Sequence, residues 1–81
     1  MKYKELKQEE ERYVMATYGR FPIALDHGEG SRLWDVEGKS YIDMTSGIGV
    51  NSLGYANKDL IRAVDEQMGK LMHVSNLYTC F

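Results

Sequence analysis

The segment RLWDVEGKSYIDMTSGIGVNSLG, residues 32–54, carries the strongest structural signal in this chain. Alternation of apolar and polar side chains predicts strands at 33–36 and 40–44, and the dipeptide Glu37-Gly38 between them predicts a hairpin turn. A loop with three glycines follows, at Gly47, Gly49 and Gly54. Because glycine lets backbone come close to another group, we interpret the hairpin as a scaffold that positions this loop.

Helical patterns flank the hairpin. Residues 4–18 contain neither Gly nor Pro and place apolar side chains at helical offsets, which predicts an exposed N-terminal helix with Gly19 as its C-cap. Pro22 favours extended backbone, so we expect a short strand at 21–25 and a polar turn at 26–30.

A second helix is predicted after the loop, with Asn57 as its N-cap and Gly69 near its end. Its apolar residues recur at three- and four-residue spacing: Leu60, Ile61, Val64, Met68 and Leu71. The expected fold class is α+β, with an N-terminal helix, a short antiparallel sheet of about three strands and an amphipathic helix.

Composition limits the partners of the chain. Twelve acidic and ten basic residues give a net charge of −2 without any basic stripe, which argues against a nucleic-acid partner. No segment approaches the roughly 18 apolar residues of a membrane span, so we expect no membrane association and a cytoplasmic location. The single cysteine, Cys80, fits a reducing compartment.

No catalytic set can be assembled from these residues. His27 and His73 are isolated from other metal-ligating side chains, so no metal site is predicted. Asp35, Glu37 and Asp43 are better interpreted as solvated or structural carboxylates. The lysines lack the buried setting that would tune an amine to form a Schiff base.

The glycine loop has three interpretations. A glycine-rich turn between a strand and a helix is typical of a dinucleotide site, but the spacing G-x-G-x-x-x-x-G is too long and no second parallel strand follows. The glycines could instead serve only to turn the chain out of the hairpin. The third interpretation is a loop that faces a substrate.

Three motifs resemble a known family: TYGRFPIAL at 17–25, LWDVEGKSYIDMTSGIGVNSLG at 33–54 and KLMHVSNLY at 70–78. They are similar to the N-terminal part of the acetylornithine aminotransferase family. This family belongs to the class III pyridoxal-phosphate aminotransferases, which have the fold type I architecture. The resemblance covers residues 13–78, and ornithine, 4-aminobutyrate and related ω-amino-acid transaminases share the LWDVEGK-type hairpin.

The resemblance implies that residues 1–81 are a single partial domain of a longer enzyme. This segment would belong to the small domain of an α/β fold type I transferase, against a large cofactor-binding domain that is absent from the chain. The family reaction transfers an amino group from N2-acetylornithine to 2-oxoglutarate in arginine biosynthesis, with pyridoxal 5'-phosphate as cofactor. The cofactor lysine of the family lies beyond the matching region, so the chain is expected to be inactive alone and to bind no cofactor.

The resemblance also implies site residues and partners. Tyr18, Gly47 and Ile48 match positions that line the substrate side of the pocket, near the interface of a homodimer. Ornithine-type relatives often carry a tyrosine at the position of Gly47, and a glycine there leaves room for an acylated side chain. The chain departs from the family where many members have GHCHP, since residues 54–58 are GYANK, and Tyr78-Thr79 replaces the usual paired tyrosines.

Three hypotheses follow. The favoured one is an N-terminal segment of a class III aminotransferase for N2-acetylornithine, or alternatively for ornithine or another ω-amino acid. The second is a free-standing interaction module, and the third is half of a nucleotide-binding motif. The module would dock through its apolar loop and tail: Ile48, Val50, Leu53, Leu77, Tyr78 and Phe81.

Overall fold

The computed structural model describes residues 2–79, which form two helices and one sheet. Cys80 and Phe81, both considered above, lie outside the described residues. The elements in chain order are α1 Tyr3–Tyr13, β1 Leu25–Glu29, β2 Arg32–Asp35, β3 Ser40–Ile42 and α2 Lys58–Met68.

The sheet is antiparallel throughout, with the strands in the order β1-β2-β3. Glu29 pairs with Arg32 across the first hairpin, and Arg32 pairs with Ile42 across the second. The register of the first pair shifts between Leu25 and His27, which marks an irregularity near the start of β1. The predicted α+β class with about three antiparallel strands is therefore confirmed.

The position of β1 differs from the prediction. We expected a strand at 21–25 and a turn at 26–30, but the strand occupies Leu25–Glu29, and only Gly30 and Ser31 separate it from β2. Gly30 has a φ of +58°, which suits this tight connection. The prediction was wrong because residues 26–29 are polar, and pairing with β2, rather than side-chain alternation, makes them a strand.

The turn between β2 and β3 lies where the sequence predicts it. Gly38 adopts a φ of +87°, and one carboxylate oxygen of Asp35 accepts hydrogen bonds from the backbone N–H groups of Glu37 and Lys39, both at 2.9 Å. The side chain of Asp35 thus substitutes for backbone acceptors within the turn. The third strand is shorter than the expected 40–44, because Asp43 already belongs to the following loop.

Helix α1 ends five residues earlier than predicted. We expected it to reach Tyr18 with Gly19 as its C-cap, but it ends at Tyr13, and Val14 is the C-cap in extended geometry. The side chain of Arg20 forms an ion pair with Glu10 of the helix, so the chain folds back beside its own last turns. Helical propensity alone placed the end too late, because it does not register the extended backbone at Val14 and the return of the chain toward Glu10.

Helix α2 begins as predicted. The side-chain oxygen of Asn57 accepts a hydrogen bond from the backbone N–H of Leu60 at 3.0 Å, which confirms the N-cap. The helix ends at Met68, with Gly69 still in right-handed geometry at φ −71°, so this glycine is not a left-handed cap.

The sheet topology contradicts the nucleotide-binding hypothesis. A dinucleotide motif requires a parallel strand–helix–strand unit, whereas the three described strands are all antiparallel. Helix α2 also begins at Lys58, after Tyr55 has paired with Gly30, so its first turn does not contain the glycines. Between residues 2 and 79, no helix combines the length and the apolar character that a membrane crossing requires.

The described residues do not enclose a core. None of them is buried, and the apolar face of α2 stays open, with Ile61 54% exposed and Met68 58% exposed. The radius of gyration is 17.0 Å, whereas a compact domain of this length has one of about 12 Å. The fold therefore presents apolar surface for something else to cover.

We expect the isolated 81-residue chain to self-associate, because association would remove the apolar face of α2 from water. Val64→Lys on this face should lower the mass measured by sedimentation velocity at high protein concentration. Glu66→Lys, which places the same new side chain on the polar face, should leave the mass unchanged. A monomeric wild-type chain that unfolds cooperatively would contradict the expectation.

Candidate functional site

The loop after β3 contains a left-handed turn at residues 46–49. Its φ angles are +53° for Ser46, +58° for Gly47, +61° for Ile48 and +93° for Gly49. Two glycines accept this geometry freely, but for a β-branched residue such as Ile48 it is a genuine outlier. Outliers of this kind persist only where surrounding contacts enforce them, and they are concentrated at functional sites.

The left-handed turn 46–49 presents its middle to solvent. Ile48 is 96% exposed, while its backbone N–H donates to the carbonyl oxygen of Thr45 at 2.9 Å. The backbone N–H of Asn51 closes the turn by donating to the carbonyl oxygen of Ser46 at 2.9 Å. The backbone is thus held from within, and the Ile48 side chain is offered to whatever packs against the loop.

Asp43 fixes the start of the loop. Its Oδ1 accepts hydrogen bonds from the backbone N–H of Thr45 at 3.0 Å, from the Thr45 hydroxyl at 3.1 Å and from the backbone N–H of Ser46 at 3.1 Å. These bonds favour the ionised form, so the backbone of Thr45 first, and then the Tyr55 hydroxyl, lower the pKa of Asp43. The carboxylate is therefore structural, as the sequence predicted.

Tyr55 ties the far end of the loop to the sheet. Its backbone exchanges two hydrogen bonds with Gly30, with N···O distances of 2.9 and 2.8 Å. Its ring covers Gly28, where a Cβ would lie 2.6 Å from the ring Cγ. The Asp43 carboxylate is the main cause that raises the pKa of Tyr55.

A second tyrosine–aspartate pair lies at the opposite end of the hairpin. The Tyr41 hydroxyl donates to Oδ2 of Asp35 at 2.9 Å. Partial desolvation raises the pKa of Asp35, but hydrogen bonds from the Lys39 backbone, the Tyr41 hydroxyl and the Glu37 backbone outweigh it, and the pKa is lowered. This pair resembles Tyr55 with Asp43 in chemistry but is not part of the loop.

An apolar groove of about 550 Å³ runs along the sheet. Its walls include Phe21, Leu33, Met44 and Thr45, so it joins the irregular segment before β1 to the beginning of the loop. The groove is open and apolar, which suits the packing of another element better than chemistry on a polar substrate.

The structure places the three predicted site residues on exposed surface. Tyr18 is 78% exposed in the segment between α1 and β1, whereas Gly47 and Ile48 belong to the left-handed turn 46–49. Within residues 2–79, no hydrogen bond or ion pair links Tyr18 to either of the other two. The groove brings together only their neighbours, since Arg20 and Thr45 both line it.

The sequence patterns do not reveal the residues that hold the loop in place. Asp43 was interpreted only as one of several solvated or structural carboxylates, and Tyr55 only as a departure from a family motif. The order Asp43-x-Thr45-Ser46 is a local signal for an aspartate that caps a turn, and it could have identified Asp43. Nothing in the sequence pairs Tyr55 with Gly30, 25 positions earlier.

The lysines and the metal-ligating side chains among residues 2–79 are dispersed over exposed surface. A Schiff-base lysine needs a desolvated setting, and none of the lysines among residues 2–79 is buried. Lys7 pairs with Glu11 on α1, and Lys39 lies 5.4 Å from the centre of the Tyr41 ring. In the same part of the chain, no three His, Cys, Asp or Glu side chains cluster to hold a metal.

Comparison with known proteins identifies the family. The model of the aminotransferase class-III family matches residues 13–81. The chain belongs to this family, and its fold is that of a segment of a fold type I pyridoxal-phosphate-dependent aminotransferase.

Individual relatives narrow the comparison. Acetylornithine aminotransferase of Synechocystis sp. is 62% identical over 66 residues, which is 82% of this chain. The crystal structure of acetylornithine aminotransferase from Elizabethkingia anophelis superposes with a TM-score of 0.94 at 31% identity over 100% of the chain. Plasmodium falciparum ornithine delta-aminotransferase gives a TM-score of 0.95 over 99% of the chain at 24% identity, which shows the shared fold alone.

The matched relatives are much longer than this chain. The chain spans 15% of the Synechocystis protein and 21% of the Elizabethkingia and Plasmodium chains.

Asp35 and Asp43 should titrate below the ordinary aspartate pKa of about 3.9. Because each pKa is lower in the folded chain than in the unfolded one, each group contributes stability above about pH 3.9 that is lost as the pH falls through the folded value. Carboxyl ¹³C NMR titration of the dilute chain measures the pKa of both aspartates. Tyr41→Phe should raise the midpoint of Asp35 and leave that of Asp43 in place; ordinary midpoints for both aspartates in the wild-type chain would refute the assignment.

Proposed function

We propose that this chain forms the substrate-side wall of a class III aminotransferase that acts on N2-acetylornithine. In the complete enzyme the amino group would pass to 2-oxoglutarate, as a step of arginine biosynthesis. The observation that carries the proposal is the left-handed turn 46–49, in which the Ile48 side chain is exposed and position 47 is a glycine.

Gly47 supports an acylated substrate over free ornithine. A Cβ at this position would lie 2.8 Å from the side-chain nitrogen of Asn51, so the Asn51 amide already occupies the place where a side chain would begin. In the family resemblance, ornithine-type relatives often have a tyrosine here. Compared with such a ring, a glycine beside the Asn51 amide would leave more room for the acyl group of the substrate.

Tyr18 and Ile48 would contribute the remaining contacts of this wall. Both are exposed in the described residues, at 78% and 96%, so each is available to a substrate or to a neighbouring part of the enzyme. An aromatic ring and a branched aliphatic side chain suit the methylene chain and the acyl methyl group of N2-acetylornithine. No residue of this chain is assigned a catalytic role.

The rest of the proposal concerns polypeptide outside these residues. Residues 1–81 would be one partial domain of the small domain, and a large domain would supply the cofactor lysine and bind pyridoxal 5'-phosphate. The cofactor provides the electron sink for amino transfer, and no lysine described here has the setting to hold it. A second subunit would complete a cytoplasmic homodimer.

Two other functions have some support. The LWDVEGK-type hairpin at 33–39, which resembles that of ornithine and other ω-amino-acid transaminases, keeps free ornithine or another ω-amino acid as an alternative donor. An exposed apolar loop, with Val50 85% and Leu53 64% exposed, would also suit a free-standing interaction module. The family membership favours the aminotransferase, because a module would have no need of the family's whole series of motifs.

A grafted enzyme tests the proposal. In it, residues 13–81 of this chain replace the aligned segment of the Synechocystis acetylornithine aminotransferase. We expect the grafted enzyme to bind pyridoxal phosphate and to have a higher kcat/KM for N2-acetylornithine than for ornithine. A folded, cofactor-loaded graft that prefers ornithine would exclude the acetylornithine assignment, and one without transaminase activity would favour the interaction module.

Gly47→Tyr in the grafted enzyme should lower the ratio of the two kcat/KM values, acetylornithine over ornithine, by about tenfold or more, equivalent to about 1.4 kcal/mol. Gly47→Ala is the matched control. It introduces the same left-handed strain and the same contact with Asn51 but no ring, so it should leave the ratio unchanged. Equal ratios for the Tyr and Ala variants would show that Gly47 does not select the substrate.

A further inference from the structure

We propose that Tyr55 is a positioning residue that holds the left-handed turn 46–49 in the shape required for the acylated substrate. This inference rests on the proposed function, since it concerns how the wall formed by Gly47 and Ile48 is kept in place. Tyr55 itself would not touch the substrate. It would act through the side-chain amide of Asn51, which bounds the turn on its C-terminal side.

The turn needs such external support. For an L-residue, left-handed geometry is unfavourable, and the turn contains two residues other than glycine, Ser46 and Ile48. Since Ile48 is almost fully exposed, its own packing supplies nothing to offset this cost. Support beyond the backbone hydrogen bonds of the turn would therefore come from its two ends.

Asn51 provides the support on the C-terminal side. Its backbone N–H donates to the Ser46 carbonyl oxygen at 2.9 Å, across the whole turn. Its side-chain amide lies over Gly47, within 2.8 Å of the place where a Cβ would be. The orientation of this amide thus decides how much free space there is above Gly47.

Tyr55 controls the orientation of that amide. The side-chain nitrogen of Asn51 donates to the Tyr55 hydroxyl at 3.4 Å. Asp43 holds the N-terminal end of the turn through Thr45 and Ser46. The Tyr55 hydroxyl is therefore hydrogen-bonded to the side chain that bounds the C-terminal end of the turn.

Tyr55 can serve as a fixed point because the sheet holds it. Its two backbone hydrogen bonds to Gly30 place it beside the first hairpin. Its ring lies against Gly28, and the backbone oxygen of Gly30 would lie 2.7 Å from a Cβ on Gly54. A larger residue at position 28 or 54 would therefore collide with these groups. Loss of the hydroxyl would leave the ring in place and release only the loop.

Tyr55→Phe in the grafted, cofactor-loaded enzyme tests the inference. We expect KM for N2-acetylornithine to rise by about three- to tenfold, the range for loss of one hydrogen bond, with kcat and the cofactor absorbance unchanged. Tyr41→Phe is the matched control, because it removes a tyrosine hydroxyl and its hydrogen bond away from the loop. It should leave KM unchanged.

Asn51→Ala provides an independent test of the same pathway. It should raise KM to a similar extent, and the double variant with Tyr55→Phe should show no further increase, because both changes break one connection. Additive effects, equal effects of Tyr41→Phe and Tyr55→Phe, or a wild-type KM in Tyr55→Phe would overturn the positioning role. The grafted enzyme without further substitutions tests the proposed function separately. The proposed function predicts that this enzyme prefers N2-acetylornithine to ornithine, whereas the positioning role of Tyr55 makes no prediction about that preference.

Discussion

The pair of backbone hydrogen bonds between Gly30 and Tyr55 joins the two halves of this chain. On one side lies the turn between β1 and β2, and on the other lies the junction between the loop and α2. Gly28 and Gly54 let the Tyr55 ring and the Gly30 backbone come within contact distance, and Gly30 supplies the positive φ of the turn. In a chain where no described residue is buried, such a contact replaces the apolar core that would otherwise hold these elements.

Two aspartate side chains supply the rest of the local order. Asp35 accepts backbone N–H groups in the hairpin turn, and Asp43 does the same where β3 ends. The Tyr41 hydroxyl also donates to Asp35, and in both aspartates the hydrogen bonds lower the pKa of the carboxyl group. An aspartate that accepts backbone N–H groups thus lies at each end of β3. These bonds fix the hairpin beneath the loop, although the strand itself has only three residues.

The exposed apolar surface has a different meaning from the polar network. The network is complete within the described residues, whereas the apolar face of α2 and the groove along the sheet are open. A segment of an aminotransferase should show this combination, because local polar contacts shape each loop while the hydrophobic effect acts between segments of the whole enzyme. The wall around Gly47 can therefore be formed before the pocket that it would line is complete.

The sequence by itself determined the features whose stabilising atoms are neighbours in the chain. These were the hairpin turn at Gly38, the N-cap Asn57 and the periodicity of α2, and the family motifs identified the class of enzyme and its candidate positions Tyr18, Gly47 and Ile48. Only the tertiary structure decided where α1 ends, where β1 lies and how the loop is held. The ion pair of Glu10 with Arg20, the pairing of β1 with β2 and the contact of Tyr55 with Gly30 each join residues that periodicity and turn propensity treat as unrelated. The left-handed turn at Ile48 belongs to the same group, since no local preference of isoleucine predicts it and only restraint from both sides maintains it.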